Sequence, residues 1–391
     1  MDSRTAGVAT ASQLTVRQHN RALLLGNVAR RPGRTRAQLA RDVGLTKATV
    51  STLVDDLILS ALVVEREPTA GLRGRPGSRL ELNPDGAAAI GVEIDVDRTS
   101  ACLLDLTGAV RDRKSIAYDN RSGTPRVALR RVAQLVADLS ADTLVAGVGV
   151  AFPGLVTVDG RVLRAPNLPR WEGSNLGEIL GDLLDVPVHS IDNEANIAAL
   201  AEHWYGSGIS DFVHVSGEIG VGGGIIVNGE LFVGPRGYAG EIGHVPVDPR
   251  GPLCGCGNRG CLEQLAGRTA VLAHAQASSD AELVFRCDHG DREALLAVRS
   301  AAAALAVALG AVINTLDLPA VSLGGFYARL APWLVEPLAT GLKKRIVSGA
   351  PIDVRVSSLG QDAAALGAAG QVINHIVRTG ERPASRRIRV S

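Results

Sequence analysis

Apolar positions near the start of the chain recur at helical spacing. Ala22, Leu23, Leu25 and Val28 share one face of residues 16–28, and Arg31-Pro32-Gly33 breaks that segment. Thr35 opens a second predicted helix with Leu39, Ala40 and Val43 as its apolar face, and Gly44-Leu45 makes a tight turn. Thr46 caps a third, whose stripe is Val50, Leu53, Val54, Leu57 and Ile58. Helix, glycine turn, helix is the helix-turn-helix pattern. Two strand-like runs follow, residues 62–65 and 80–82, joined by a glycine-proline hairpin carrying Arg73, Arg75 and Arg79. Together these predict a winged helix-turn-helix over residues 1–82.

The pattern then changes to strands. Residues 90–110 read as strand, polar turn, strand, turn, and residues 212–233 repeat that plan. Two such copies, each followed by mixed strands and helices, predict a two-lobed α/β body over residues 83–377 with a cleft between lobes. The first lobe is expected to span 88–205 plus 358–377, and the second 206–357. An alanine-rich helix at 301–316 belongs to the second lobe, and a final helix at 361–377 is expected to return to the first. The basic tail, 378–391, reads as flexible.

Composition sharpens this picture at three points. Aromatic residues make up 3% of a chain that is 46% hydrophobic, so alanine, valine and leucine must fill the cores. Net charge is +1, yet residues 1–82 hold 13 Lys and Arg against 7 Asp and Glu, so a basic head sits on an acidic body. Such a head suits a polyanion. Residues 1–12 lack a signal-peptide core, and the five cysteines suit a reducing compartment, so a cytoplasmic location away from membranes is expected.

Three of those cysteines stand close together. Cys254, Cys256 and Cys261 lie in a glycine-rich loop ten residues after His244. Three thiolates and an imidazole are a tetrahedral zinc set. Three buried thiols are the alternative, but a loop of this composition makes a poor apolar core. Cys254 and Cys256 are too close in sequence to pair easily. In the head, Thr46, Lys47, Thr49, Ser51 and Thr52 begin the third helix, where short hydroxyls and one lysine suit phosphates and base edges of duplex DNA. Arg73 and Arg75 suit a narrow minor groove. Solvated polar surface is the other reading of both sets. Asn193-Glu194 places an amide beside a carboxylate at a helix start, suited to adjacent sugar hydroxyls or to helix capping.

Glu241-Ile-Gly-His244 followed by Cys254-Gly-Cys-Gly-Asn-Arg-Gly-Cys-Leu-Glu263 resembles the zinc signature of the ROK family, named for repressors, open reading frames and kinases. The resemblance implies an actin-like, sugar-kinase fold with a ribonuclease H-like repeat. It implies zinc held by His244, Cys254, Cys256 and Cys261. It also implies sugar contacts from Asn167, Asn193, Glu194, Glu241, His244 and Glu263. The family's repressors carry a DNA-binding head and its kinases lack one. Its kinases have an Asp-x-Gly-Gly-Thr-Lys loop, where this chain has Glu93-Ile-Asp-Val-Asp-Arg98. They have Gly-Thr-Gly-x-Gly-Gly-Gly, where this chain has Glu218-Ile-Gly-Val-Gly-Gly-Gly224. Asp95, Asp97 and Glu218 thus stand where phosphates need donors. Glu194 replaces the kinases' catalytic aspartate. The expectation is a sugar-responsive transcriptional repressor without enzymatic activity, acting as a homodimer or homotetramer. A sugar kinase with an added head and a protein-interaction module are the competing readings.

Overall fold

The computed structural model describes residues 13–67, 78–141 and 143–381, together with Pro383 and Ile388. Three helices open it: α1 (Gln13–Arg30), α2 (Arg36–Val43) and α3 (Lys47–Leu59). Local chemistry sets the boundaries of the second and third. Thr35 and Gln38 form a capping box at the start of α2, and Gly44 closes it in the left-handed conformation. The Thr46 side chain accepts from the Thr49 amide at the start of α3. Strands β1 (Val63–Arg66) and β2 (Arg79–Leu82) pair antiparallel. The hairpin between them, with Arg73 and Arg75, lies outside the described residues. On α1 the buried residues are Leu24, Leu25 and Val28, whereas Leu23 is only part-buried. The helix has a second neighbour that its own sequence does not announce.

The first sheet holds β3 (Ala88–Ile94), β4 (Arg98–Leu104), β5 (Val110–Ala117), β6 (Val145–Phe152) and β9 (Val188–Asn193), in the order β5-β4-β3-β6-β9. Between β6 and β9 run a small hairpin, β7 (Leu155–Val156) with β8 (Val162–Arg164), and helix α5 (Leu176–Leu183). Helices α4 (Pro125–Leu139) and α5 cover one face. Helix α6 (Glu194–Tyr205) then crosses to the second sheet.

That sheet holds β10 (Phe212–Gly217), β11 (Val221–Val227), β12 (Glu230–Leu231), β13 (Ala320–Gly324) and β14 (Asp353–Val356), in the order β12-β11-β10-β13-β14. Each sheet follows one plan: two antiparallel neighbours of the first strand on one side, two parallel strands on the other. The expected repeat is therefore present strand for strand. Helices α7 (Leu262–Ala266), α8 (Arg268–Ala275), α9 (Asp280–Asp288), α10 (Arg292–Leu316), α11 (Gly325–Arg329) and α12 (Ala331–Lys343) complete the second lobe. Helix α10 begins nine residues before the expected alanine-rich stretch. It is long and apolar enough to cross a membrane by length and composition, yet Leu305, Leu309 and Ile313 are buried in the second lobe's core.

Helix α13 (Ala363–Thr379) returns to the first lobe, as expected, and runs through Arg378 and Thr379. It lies flat on the uncovered face of the first sheet. A side chain at Gly149 on β6 would come within 2.1 Å of the Ala368 carbonyl oxygen, so only glycine permits this approach. The far end of α13 meets the head. The Arg21 Nε donates to the Gly380 carbonyl at 3.0 Å, and a side chain on Gly380 would strike the Ala22 backbone. One continuous apolar cluster joins Leu24, Leu57 and Leu80 of the head to Leu104 of β4 and to Val372 and Ile376 of α13. Most of the tail beyond Thr379 lies outside the described residues, although Ile388 packs against the first lobe's core.

Candidate metal centre and sugar cleft

The Cys254, Cys256 and Cys261 sulfurs and a His244 ring nitrogen converge, with all four donor atoms within 4.8 Å of one another. Cys254 Sγ lies 3.7 Å from His244 Nδ1, and Cys256 Sγ lies 3.6 Å from Cys261 Sγ. Zinc–sulfur bonds of about 2.3 Å in a tetrahedron separate neighbouring donors by roughly 3.8 Å, so this donor set fits a zinc ion in size and chemistry. Glycines permit the turn. The Cys254 amide donates to the Asn258 carbonyl at 2.7 Å, which closes the loop on itself. Gln264 Nε2 approaches Cys254 Sγ at 3.9 Å, a hydrogen bond of the kind that tunes a thiolate ligand.

With Nδ1 on the donor cluster, the other His244 nitrogen, Nε2, points away and lies 3.9 Å from a Glu241 carboxylate oxygen. Both residues line a cavity of about 250 Å³ between the lobes. Asn167, Asn193 and Glu194 line it from the first lobe and from the start of α6, and Glu263 lines it from α7. All six sequence-derived sugar contacts therefore face one cavity. Asn193 does two jobs. Its Oδ1 accepts from the Ala195 amide at 2.9 Å, capping α6, and its Nδ2 donates to the Gly154 carbonyl at 3.1 Å. The capping reading is thus correct as geometry, and one amide hydrogen is left for the cavity. Burial, reinforced by the Asp95, Glu93 and Glu218 carboxylates, holds the Glu194 carboxyl well above the ordinary glutamate range. Burial also raises Glu241.

Two lining residues escaped the sequence reading, Arg164 and Asn258. Arg164 ends β8, and its Nη2 donates to the Gly255 carbonyl at 3.2 Å, so the first lobe reaches across to the metal loop. The Pro166-Asn167 motif two residues later was the available signal.

The two loops that depart from the kinase pattern meet at a second cavity of about 210 Å³, lined by Asp95, Asp97, Arg98, Glu218, Arg268 and Arg329 among others. Its three arginines are each engaged by a carboxylate, although the buried Arg329 Nε has no hydrogen-bond partner among the described residues. Arg98 lies 3.2 Å from Glu93 and 4.0 Å from Asp95. Arg268 and Arg329 both hold Asp280, at 2.6 and 2.8 Å. Burial pushes Glu93 up to about 7 and raises Glu218. Sequence reasoning found Asp95, Asp97 and Glu218 here and missed Asp280 with its partners Arg268 and Arg329, because those come from distant helices.

In the head, Thr46, Lys47 and Thr52 are exposed, and Thr49 and Ser51 are half-buried. The Thr46 and Thr49 hydroxyls bond each other at 2.9 Å, and Thr52 donates to the Ala48 carbonyl at 3.2 Å. Lys47 is thus the most open of the five.

The match to known proteins agrees with this architecture. A ROK family model covers residues 89–374. The chain belongs to the ROK family. A MarR family model covers residues 12–73, so a MarR-like winged helix-turn-helix precedes a ROK body of actin-like, sugar-kinase fold. The xylose repressor of Bacillus subtilis is 29% identical across 94% of this chain and 98% of its own length. The N-acetylmannosamine kinase of Escherichia coli O157:H7 is 33% identical, covering 72% of this chain and 96% of the enzyme. A solved ROK family transcriptional regulator, described as a homolog of the E. coli MLC protein, superposes with a TM-score of 0.78 at 23% identity, over 93% of this chain and 97% of that one. The repressor and the regulator match the head as well as the body, while the kinase match is confined to a length that the body alone supplies.

Proposed function

We propose that this chain is a sugar-responsive DNA-binding transcriptional repressor, acting as a homodimer or homotetramer, with a zinc-organised sugar site and no kinase activity. The observation that carries the reading is the convergence of six sugar-type side chains on one cavity beside a four-donor metal cluster. In the adjoining cavity each arginine is already ion-paired, and Asp97 and Glu218 add negative charge that opposes a phosphate. The likeness to a xylose repressor across nearly the whole chain supports the same reading.

The chemistry follows from the residues. Zinc, when bound, fixes the His244 ring and the loop leading to Glu263, so that His244 Nε2 and the two glutamates of the second lobe present a rigid wall. Asn167, Asn193 and Glu194 form the opposite wall. A sugar bonded to both walls favours one lobe separation and shifts the equilibrium by its differential affinity for the two states. Glu194 begins α6, which packs along α13, and α13 ends on the head. A change at the cleft therefore moves the element that seats α1. Lys47 and the α3 hydroxyls meet the major groove, with Arg73 and Arg75 in the wing.

A thermal-shift screen over free and phosphorylated sugars, including xylose and N-acetylmannosamine, tests the ligand half of the proposal, because a ligand of the native state must raise stability. At least one sugar is expected to raise the midpoint and to change affinity for a duplex selected by binding to the full chain. Deletion of residues 1–82 without loss of duplex binding contradicts the DNA half.

A further inference from the structure

Two histidines outside the cleft form a cluster that the proposed function does not use. His189 lies on β9, the edge strand of the first sheet, and His375 lies on α13. Both are exposed, and their ring centroids are 5.0 Å apart with planes inclined at 44°. A metal–nitrogen bond of about 2.0–2.1 Å places each imidazole centroid roughly 3.2 Å from an ion, and a tetrahedral angle then separates two centroids by about 5 Å. The pair already has that separation.

Two further observations point the same way. The His189 ring is hydrogen-bonded to the backbone of Ala146, which fixes its orientation and tautomer as the second nitrogen of a ligating histidine usually is. Although its edge is exposed, partial desolvation of the ring and the neighbouring His375 depress its proton affinity, which favours the neutral, ligating form.

We propose that His189 and His375 form a second metal site for a borderline divalent cation such as Ni²⁺, Co²⁺ or Zn²⁺, pinning the end of α13 to the edge of the first sheet. The site is remote in sequence from His244 and the three cysteines and depends on none of them. It lies within one to two turns of Gly380, where α13 meets the head.

Equilibrium dialysis of the full-length protein, with its cysteine cluster loaded with zinc beforehand, against Ni²⁺ tests this. One extra equivalent of nickel is expected per chain, with affinity at least tenfold weaker in His189→Ala and in His375→Ala, and lost in the double variant. Both residues are exposed, so folding is expected to survive. The milder His189→Gln and His375→Gln give the same comparison and must show the same loss. Nickel is also expected to raise the thermal midpoint of the wild type and not that of the double variant. Equal nickel binding by wild type and double variant, or no extra equivalent in the wild type, overturns the proposal.

Discussion

The two cavities of the cleft differ in how their polar groups are satisfied. Around the cavity beside the metal cluster, Glu194, Glu241, His244 and Glu263 converge from separate elements on shared space. In the neighbouring cavity, Arg98 is taken by Glu93 and Asp95, while Arg268 and Arg329 are taken by Asp280. A binding site keeps donors and acceptors waiting for a ligand. A site whose arginines are already ion-paired, and which also carries Asp97 and Glu218, makes an anionic ligand displace existing bonds and meet like charge. On the proposed reading, this contrast separates sensing a sugar from phosphorylating it.

The most damaging way to break the first cavity is to remove the proposed zinc. Cys256→Ser is expected to lower zinc content from about one per chain to less than about a tenth, and to abolish sugar binding while leaving the α1–α3 head folded, because thiolate ligation supplies the loop's order. Elemental analysis with sugar-dependent thermal shift checks both. A variant that keeps its zinc contradicts the ligand assignment. On the proposed function the second cavity does not serve a nucleotide, so ATP turnover with any sugar that binds is expected to stay far below about 1 per second, the lower end of ordinary enzymes. A coupled assay showing turnover at that rate or above collapses the contrast between the cavities.

Arg164 sharpens the comparison, since it ties the first lobe to the metal loop. Losing a charged hydrogen bond of about 1.5 kcal/mol weakens affinity roughly tenfold. Arg164→Ala is therefore expected to weaken sugar binding by about that factor with zinc retained, read by calorimetry and metal analysis. An unchanged affinity removes Arg164 from the site.

The smallest effect is a pH slope. Burial lifts the Glu93 carboxyl from its ordinary value of 4.5 to about 7. A raised value in the folded state means the folded protein holds this proton more tightly than the unfolded chain does. Its stabilising contribution is complete below about pH 4.5 and is lost as pH rises through about 7. Between pH 5 and 8, the wild type is expected to lose about 1–3 kcal/mol relative to Glu93→Gln in denaturant unfolding. A pH-independent difference contradicts a protonated Glu93.

Much of this was legible in the sequence, for identifiable reasons. Helix caps at Thr35 and Thr46 are local chemistry, and so is the Cys254–Cys261 spacing, because the ligands and the turns that bring them together share one loop. The repeat was legible because alternation and turn residues recur in both copies. What stayed hidden is long-range. Leu23 and Ala22 look like ordinary core positions of α1, yet they line a groove against Ile373 and Val377 of α13, some 350 residues away. The head therefore does not hang from residues 83–86 alone. Its apolar core runs into the first lobe, and nothing local to either segment announces that contact. Arg268 and Arg329 were missed for the same reason.

On the proposed function, that fused seam carries the effect of a sugar at Glu194 to Lys47. The direct test is operator affinity of the full-length wild type and of Glu194→Ala, each measured by fluorescence anisotropy with and without the sugar found by thermal shift, at one fixed salt concentration. The account predicts that the two proteins bind the operator within about threefold of each other without sugar. Saturating sugar then changes the wild-type affinity by at least about tenfold, a coupling of roughly 1.4 kcal/mol, and leaves the variant unchanged. A Glu194→Ala protein that responds at the wild-type sugar concentration contradicts it.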